Sequence, residues 1–198
     1  MDELLGRLTV STLPPAFKAG VFDCGEPEVD EYLCDGDAAE DEAAGVTRTY
    51  LIRDGEELVG YVSVLCDAIR LNRDERPTAY GVAPALKVGR MGVRKSHQGR
   101  DVGSWILDWV VGLARSLARQ AGLRYVTLDS LPKESLVRWY SAYGFKKNIG
   151  EERARKIVKQ KGLRHTRLED IELPHVSMRF DILLKEEVAG AAQSTPQT

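Results

Sequence analysis

Cysteine is scarce in this chain. The three residues Cys24, Cys34 and Cys66 include no pair at the CxxC spacing of a metal or redox site. An odd, sparse count builds no disulfide framework, so free thiols in a reducing compartment are expected. Long apolar runs are missing too, and none approaches the roughly 18 residues of a membrane span. The opening Met1-Asp2-Glu3 is acidic where a secretory leader is basic. A cytoplasmic protein with no membrane partner is the expectation. An excess of one charge is also lacking: the net charge of −2 sets up no global field that would recruit nucleic acid.

Several catalytic signatures are absent as well. There is no GxxxxGK[ST] phosphate loop and no GxGxxG after the first strand. There is no GxSxG elbow for a nucleophilic serine. His97, His165 and His175 are scattered, no Ser-His-Asp or Cys-His arrangement is visible, and no metal site is expected. Cys66 reads as a buried structural thiol rather than a nucleophile, and His97 as a surface histidine.

Apolar residues make up 43% of the 198-residue chain, enough for the core of one sizeable domain. Leu8–Val10 suggests a first strand. Pro27 opens a helical stretch, followed by the acidic run from Asp35 to Glu42. Arg48–Arg53 and Leu58–Leu65 are β-rich, and Asp54-Gly55 between them is a hairpin signal because both residues tolerate positive φ. Lys87–Val93 is a further strand. The clearest helix places Val102, Ile106, Trp109, Val110, Leu113 and Leu117 on one stripe, with Gly122 as its C-cap. A strand over Arg124–Leu128 follows. A helix from about Pro132 to Ala142 is then ended by Gly144, and a basic helix covers Glu151–Lys161. The last strand, His175–Leu184, puts Val176, Met178, Phe180 and Ile182 on one face. This order describes an α+β, or mixed α/β, fold with helices on a sheet.

The chemistry concentrates between Val88 and Leu107. A strand leads through Gln98-Gly99-Arg100-Asp101-Val102-Gly103-Ser104 into the amphipathic helix. Such a turn aims several backbone N–H groups at one point, and the helix N-terminus adds partial positive charge. Glycines allow close approach of an anion, and Arg100 adds charge. A phosphate or pyrophosphate suits this place.

The turn resembles the [QR]-x-x-G-x-[GA] motif of the GNAT acetyltransferases, with Gln98 and Gly103 at its ends and Gly99, Val102 and Ser104 as common choices. Asp101 stands where the family has its middle glycine. In a left-handed conformation aspartate is among the least costly replacements. Its carboxylate beside a pyrophosphate would weaken the cofactor unless it turns away or pairs with Arg100. Farther on, Trp139-Tyr140-Ser141-Ala142-Tyr143-Gly144-Phe145 resembles the family's FYxxxGF segment. The opening Phe22-Asp23-Cys24-Gly25 through Leu33 is similar to one branch that includes toxins of bacterial toxin–antitoxin pairs.

The resemblance implies a mostly antiparallel central sheet splayed at its fourth strand. It also implies acetyl-CoA as co-substrate and direct transfer to a primary amine in a ternary complex. Gln98 to Ser104, comprising Gln98, Gly99, Arg100, Asp101, Val102, Gly103 and Ser104, would bind the cofactor together with Met91, Gly92 and Val93. Tyr140 would be the acid that protonates the leaving thiolate, and Tyr143 a packing residue. Asp129, Asp67, Glu56 and Glu57 are candidate bases, and Lys133 and Ser135 fall near a further cofactor contact. The acceptor stays open among a small molecule, a protein and aminoacyl-tRNA, the last being the toxin alternative with an antitoxin partner. A non-catalytic acyl-CoA-binding protein is a second alternative, and a homodimer is compatible with the resemblance. One domain is expected over residues 1–187, with a disordered tail over 188–198. A basic insert over about 148–172 carries Arg153, Arg155, Lys156, Lys159, Lys161, Arg164 and Arg167. It reads as a solvated face, or one paired with the acidic run, with contact to the phosphates of tRNA or to an acidic partner as the alternative.

Overall fold

A computed structural model of the chain describes residues 3–163 and 166–183. The expected tail, and Arg164 and His165, lie outside the described residues. The elements are β1 (Leu8–Thr12), α1 (Pro27–Cys34), α2 (Asp37–Ala43), β2 (Arg48–Asp54), β3 (Glu57–Arg70), β4 (Val82–Val93), α3 (Val102–Ala118), β5 (Tyr125–Ser130), α4 (Glu134–Tyr143), β6 (Lys146–Lys147), α5 (Ile149–Gln160) and β7 (Val176–Asp181). The strands form a seven-stranded sheet in the order β1-β2-β3-β4-β5-β7-β6. Among the described residues it is mostly antiparallel with one parallel pair, and helices flank it, which is the expected mixed α/β class. Two compact units divide the chain, Met1–Leu65 with Lys87–Gly112 and Cys66–Leu86 with Leu113–Thr198.

In the first unit β1, β2 and β3 make an antiparallel meander. Gly55 and Glu56 form the β2–β3 turn, because Asp54 already pairs with Glu57. Only Gly55 adopts positive φ (57°). The expectation that Asp54 shares that role is therefore corrected. Asp54 is a strand residue whose carboxylate accepts two hydrogen bonds from Arg7 at 3.1 and 2.9 Å. Phe22 and Leu33 sit in a core with Leu51 and Tyr61, as helix anchors should. The acidic run forms α2, with Asp37 and Glu40 in the first turn, where negative charge meets the helix dipole favourably. Its Glu42 carboxylate pairs with Arg48 at 2.7 Å and Asp41 accepts from Tyr32, so these acids are satisfied locally.

The buried stripe of α3 lies one residue on from the expected one. Val102, Ile106 and Val110 are buried, but Leu107, Val111 and Ala114 complete the face while Leu117 is exposed. Each large buried aliphatic contributes about 2 kcal/mol. Gly122 has no positive φ and so is not the left-handed cap expected of it.

In the second unit β5 and β7 pair from Tyr125↔Asp181 to Ser130↔Val176. The expected alternation of β7 is incomplete, since Ser177 and Arg179 are buried alongside Met178 and Phe180. The Arg179 guanidinium donates to Asn148 Oδ1 at 2.9 Å and to the carboxylate of Glu75, which removes it from solvent at an affordable electrostatic cost. The basic insert forms α5, where Arg155 pairs with Asp129 and with Glu151 rather than standing free in solvent.

Candidate acetyl-CoA site

The strand β4 ends at Val93 and a short 3-10 turn, Lys95–His97, leads to Gln98. Two left-handed residues follow, Gly99 (φ 73°) and Asp101 (φ 59°). Asp101 thus occupies the conformation in which a glycine is usually needed, and aspartate is one of the few side chains that tolerates it. The first helical bond of α3 runs from Trp105 N–H to Asp101 O at 2.9 Å. By helix geometry the N–H groups of Val102, Gly103 and Ser104 therefore have no acceptor inside the helix. A helix N-terminus of this kind favours a negatively charged partner.

His97 is buried, not the surface residue expected. Its Nδ1 lies 2.9 Å from Ser96 Oγ, and its Nε2 is 3.9 Å from Glu57 Oε2. Short-range patterning gave no sign of this, because Glu57, which lies near its ring, is distant in sequence. Gly92, at the end of β4, has no room for a side chain: a Cβ there would lie 2.9 Å from the Phe22 ring and 3.1 Å from Val29. Met91 and Val93 on either side are half-buried. Gln98 points its amide at two backbone carbonyls, Cys24 O at 2.7 Å and Val93 O at 2.9 Å.

Tyr140 belongs to the second unit, near the end of α4. Gly144 (φ 121°) closes that helix, its N–H shared between Tyr140 O and Ser141 O. Tyr140 is 8% exposed, edge-on to Trp139 and Phe145. Burial alone pushes its phenol up to about 12, so it carries its proton at any ordinary pH. Tyr143 packs against Phe145 and Phe180.

The candidate bases differ in their surroundings. Asp129 is held by Arg155 at 2.7 Å. Asp67 accepts from Thr127 Oγ1 at 3.1 Å and from Ala68 N–H at 2.8 Å. Glu56 and Glu57 are exposed, as are Lys133 and Ser135 at the start of α4. Cys66 is exposed, which corrects its reading as a buried thiol. Cys24 is partly buried, and burial pushes its thiol up to about 12, away from the thiolate. Among the described residues no group of His, Cys, Asp or Glu is placed to hold a metal ion, and no helix is long and apolar enough to cross a membrane.

In the first unit a strand leads through a turn with two left-handed residues into a helix, and in the second a buried phenol lies on a later helix, within a mixed α/β fold. The family model for the acetyltransferase (GNAT) domain matches residues 46–147, more than half of the chain. This chain belongs to the GNAT acetyltransferase family. Its reaction is N-acetyl transfer with acetyl-CoA as donor. Solved structures share its fold at low identity. AtaT complexed with acetyl-methionyl-tRNAfMet has a TM-score of 0.68 at 16% identity, covering 92% of this chain and 99% of that one. A tyrosine-to-phenylalanine mutant of KacT has a TM-score of 0.69 at 18% identity, covering 92% and 99%. A mutant AtaT toxin bound to the C-terminus of the antitoxin AtaR and to acetyl-CoA has a TM-score of 0.66 at 15% identity, covering 92% and 98%.

Proposed function

We propose that the chain transfers acetyl directly from acetyl-CoA to the α-amino group of an aminoacyl-tRNA, and that residues 1–187 act as one catalytic domain. In this reading the N–H groups of Gly99 to Ser104 hold the pyrophosphate, with Arg100 adding charge. The backbone of Met91, Gly92 and Val93 pairs with the pantetheine arm, where an N–H polarises the thioester carbonyl. The neutral amine attacks that carbonyl, the C–S bond breaks, Tyr140 gives its proton to the departing thiolate, and the proton lost by the amine nitrogen returns through solvent to the phenolate. The pair of left-handed residues, Gly99 and Asp101, before the first turn of α3 is the observation that carries the donor site. Three features support the tRNA acceptor. They are the Phe22–Leu33 opening, the basic α5, and the likeness over 92% of the chain to a protein seen with acetylated aminoacyl-tRNA. An antitoxin partner and a homodimer belong to the same proposal.

The test is acetyl transfer from radiolabelled acetyl-CoA to a panel of aminoacyl-tRNAs, free amines and peptides. Label in the aminoacyl-tRNA fraction, absent with uncharged tRNA, is expected. Label confined to free amines or peptides would establish the second reading, a small-molecule or protein N-acetyltransferase.

A further inference from the structure

The Asp23-Cys24-Gly25 segment has no task in that chemistry, yet polar contacts gather on it beside the Gln98 turn. Lys95 N–H donates to Asp23 O at 2.9 Å, and the Lys95 ammonium pairs with the Asp23 carboxylate at 2.9 Å. The Arg94 guanidinium donates to Leu58 O at 2.9 Å and to Val21 O at 3.1 Å. Gln98 Nε2 reaches Cys24 O and Val93 O. An amide nitrogen has two hydrogens, and here both face carbonyls, so neither is left for an anion. Two carbonyl acceptors also fix which way the amide points.

The same segment sets the entry to α1. Cys24 N–H donates to Asp30 Oδ1 at 2.8 Å, and Gly25 N–H to Asp23 Oδ1 at 3.0 Å. Phe22 and Val29 fill the space above Gly92, and Tyr61 donates its hydroxyl hydrogen to Val29 O. The lead-in to α1 is thereby clasped at one end by the turn and at the other by the strand that would carry the donor.

We propose that Gln98 is a positioning residue that clasps the α1 lead-in to the donor turn and does not itself contact phosphate. It couples acetyl-CoA binding to the order of residues 21–33. The proposal rests on the donor-site reading above. Coupling is reciprocal: if donor binding orders the segment, loosening the segment weakens the donor by the same factor.

The experiment compares the wild-type chain, Gln98→Met and Asp23→Ala. CoA affinity is measured by calorimetry, and amide hydrogen exchange over residues 21–33 with and without CoA. Methionine keeps the length of glutamine and adds no charge. CoA should slow exchange over 21–33 in the wild type. Gln98→Met should weaken CoA about tenfold, as expected for two lost hydrogen bonds, and should speed exchange over 21–33 in the free protein. Asp23→Ala, which leaves the turn's own residues intact, should move both readouts the same way by less. Exchange over β2 should stay unchanged in both variants, which separates loosening from unfolding. Weaker CoA binding with unchanged exchange over 21–33 would make Gln98 a direct phosphate ligand and overturn the proposal. Faster exchange with unchanged affinity would overturn the coupling. A wild-type chain that fails to bind CoA would instead remove the donor-site reading, and the coupling with it.

Discussion

Gly60 and Gly92 approach so closely that a Cβ on Gly60 would lie 2.8 Å from the carbonyl oxygen of Gly92 and 3.3 Å from the Ile106 side chain. The near neighbour is backbone, which cannot swing aside as a flexible side chain does. Gly60→Ala should therefore push β3 away from the end of β4 and cost about 1–3 kcal/mol. Gly92→Ala meets side chains, Phe22 and Val29, and should cost less. Thermal or urea unfolding of the two variants checks the order. A harmless Gly60→Ala would show that the strands have slack there.

Asp101 is left-handed at φ 59° and exposed. Asp101→Gly should change stability by less than about 0.5 kcal/mol, whereas the β-branched Asp101→Val should lose about 1–2 kcal/mol. For CoA affinity, Asp101→Gly should match or exceed the parent, because the substitution removes a negative charge beside the proposed pyrophosphate site and keeps the turn. Calorimetry with CoA measures this, and a clear loss of affinity would mean that the carboxylate helps hold the turn.

Tyr140 should act as an acid without limiting activity at moderately high pH. Its phenol is pushed up to about 12 by burial, so its ionisation should produce no alkaline fall in rate below about pH 11. Tyr140→Phe should lower kcat by about a hundredfold or more while leaving CoA affinity within about threefold. A variant that keeps full turnover would reduce Tyr140 to a packing residue.

The same burial has a consequence for stability. A phenol whose pKa is raised in the folded state is neutral in both states below about pH 10 and adds no pH dependence there. Between pH 10 and about 12 the unfolded chain ionises and the folded one resists, so stability declines as pH rises. The decline should be shallower in Tyr140→Phe. Burial also raises Tyr61, so part of the slope should persist. Urea midpoints at pH 9 and pH 11 test the difference.

Arg179 is 8% exposed and shared between Glu75 and Asn148, while Glu75 Oε2 and Asn148 Nδ2 are buried with no hydrogen-bond partner among the described residues. Arg179→Ala would strand the Glu75 carboxylate and should cost about 3–5 kcal/mol. Arg179→Met, which keeps the volume, combined with Glu75→Gln should recover much of that loss. Denaturant unfolding of the single and double variants measures the recovery.

Much of the architecture was legible in local sequence. The stripe from Val102 to Val110, the Gly144 cap and the Gly55 turn each rest on a periodicity or a conformational need that a few neighbouring residues express. Elsewhere the local signal was incomplete. Leu107 and Ala114 are buried while Leu117 is exposed, because tertiary packing selects the buried face within a broad apolar stripe, and spacing alone does not report that selection. Arg179 reads as an outward strand residue until Glu75 and Asn148, both distant in sequence, arrive beside it.

The sequence by itself determined the family and the turn. Gln98 through Ser104 and Trp139 through Phe145 are contiguous, and contiguous residues carry their conformation with them. It also marked Asp101 as the one departure from the motif, and that departure proves compatible because aspartate tolerates the left-handed backbone. Only the tertiary structure decided what the side chains around the turn do. It buries His97, exposes Cys66, confines the Asp129 carboxylate against Arg155, and spends both hydrogens of the Gln98 amide on carbonyls from two separate segments. Those outcomes depend on partners far away in the chain, whose nearness is created by burial of the core and is written in no short motif.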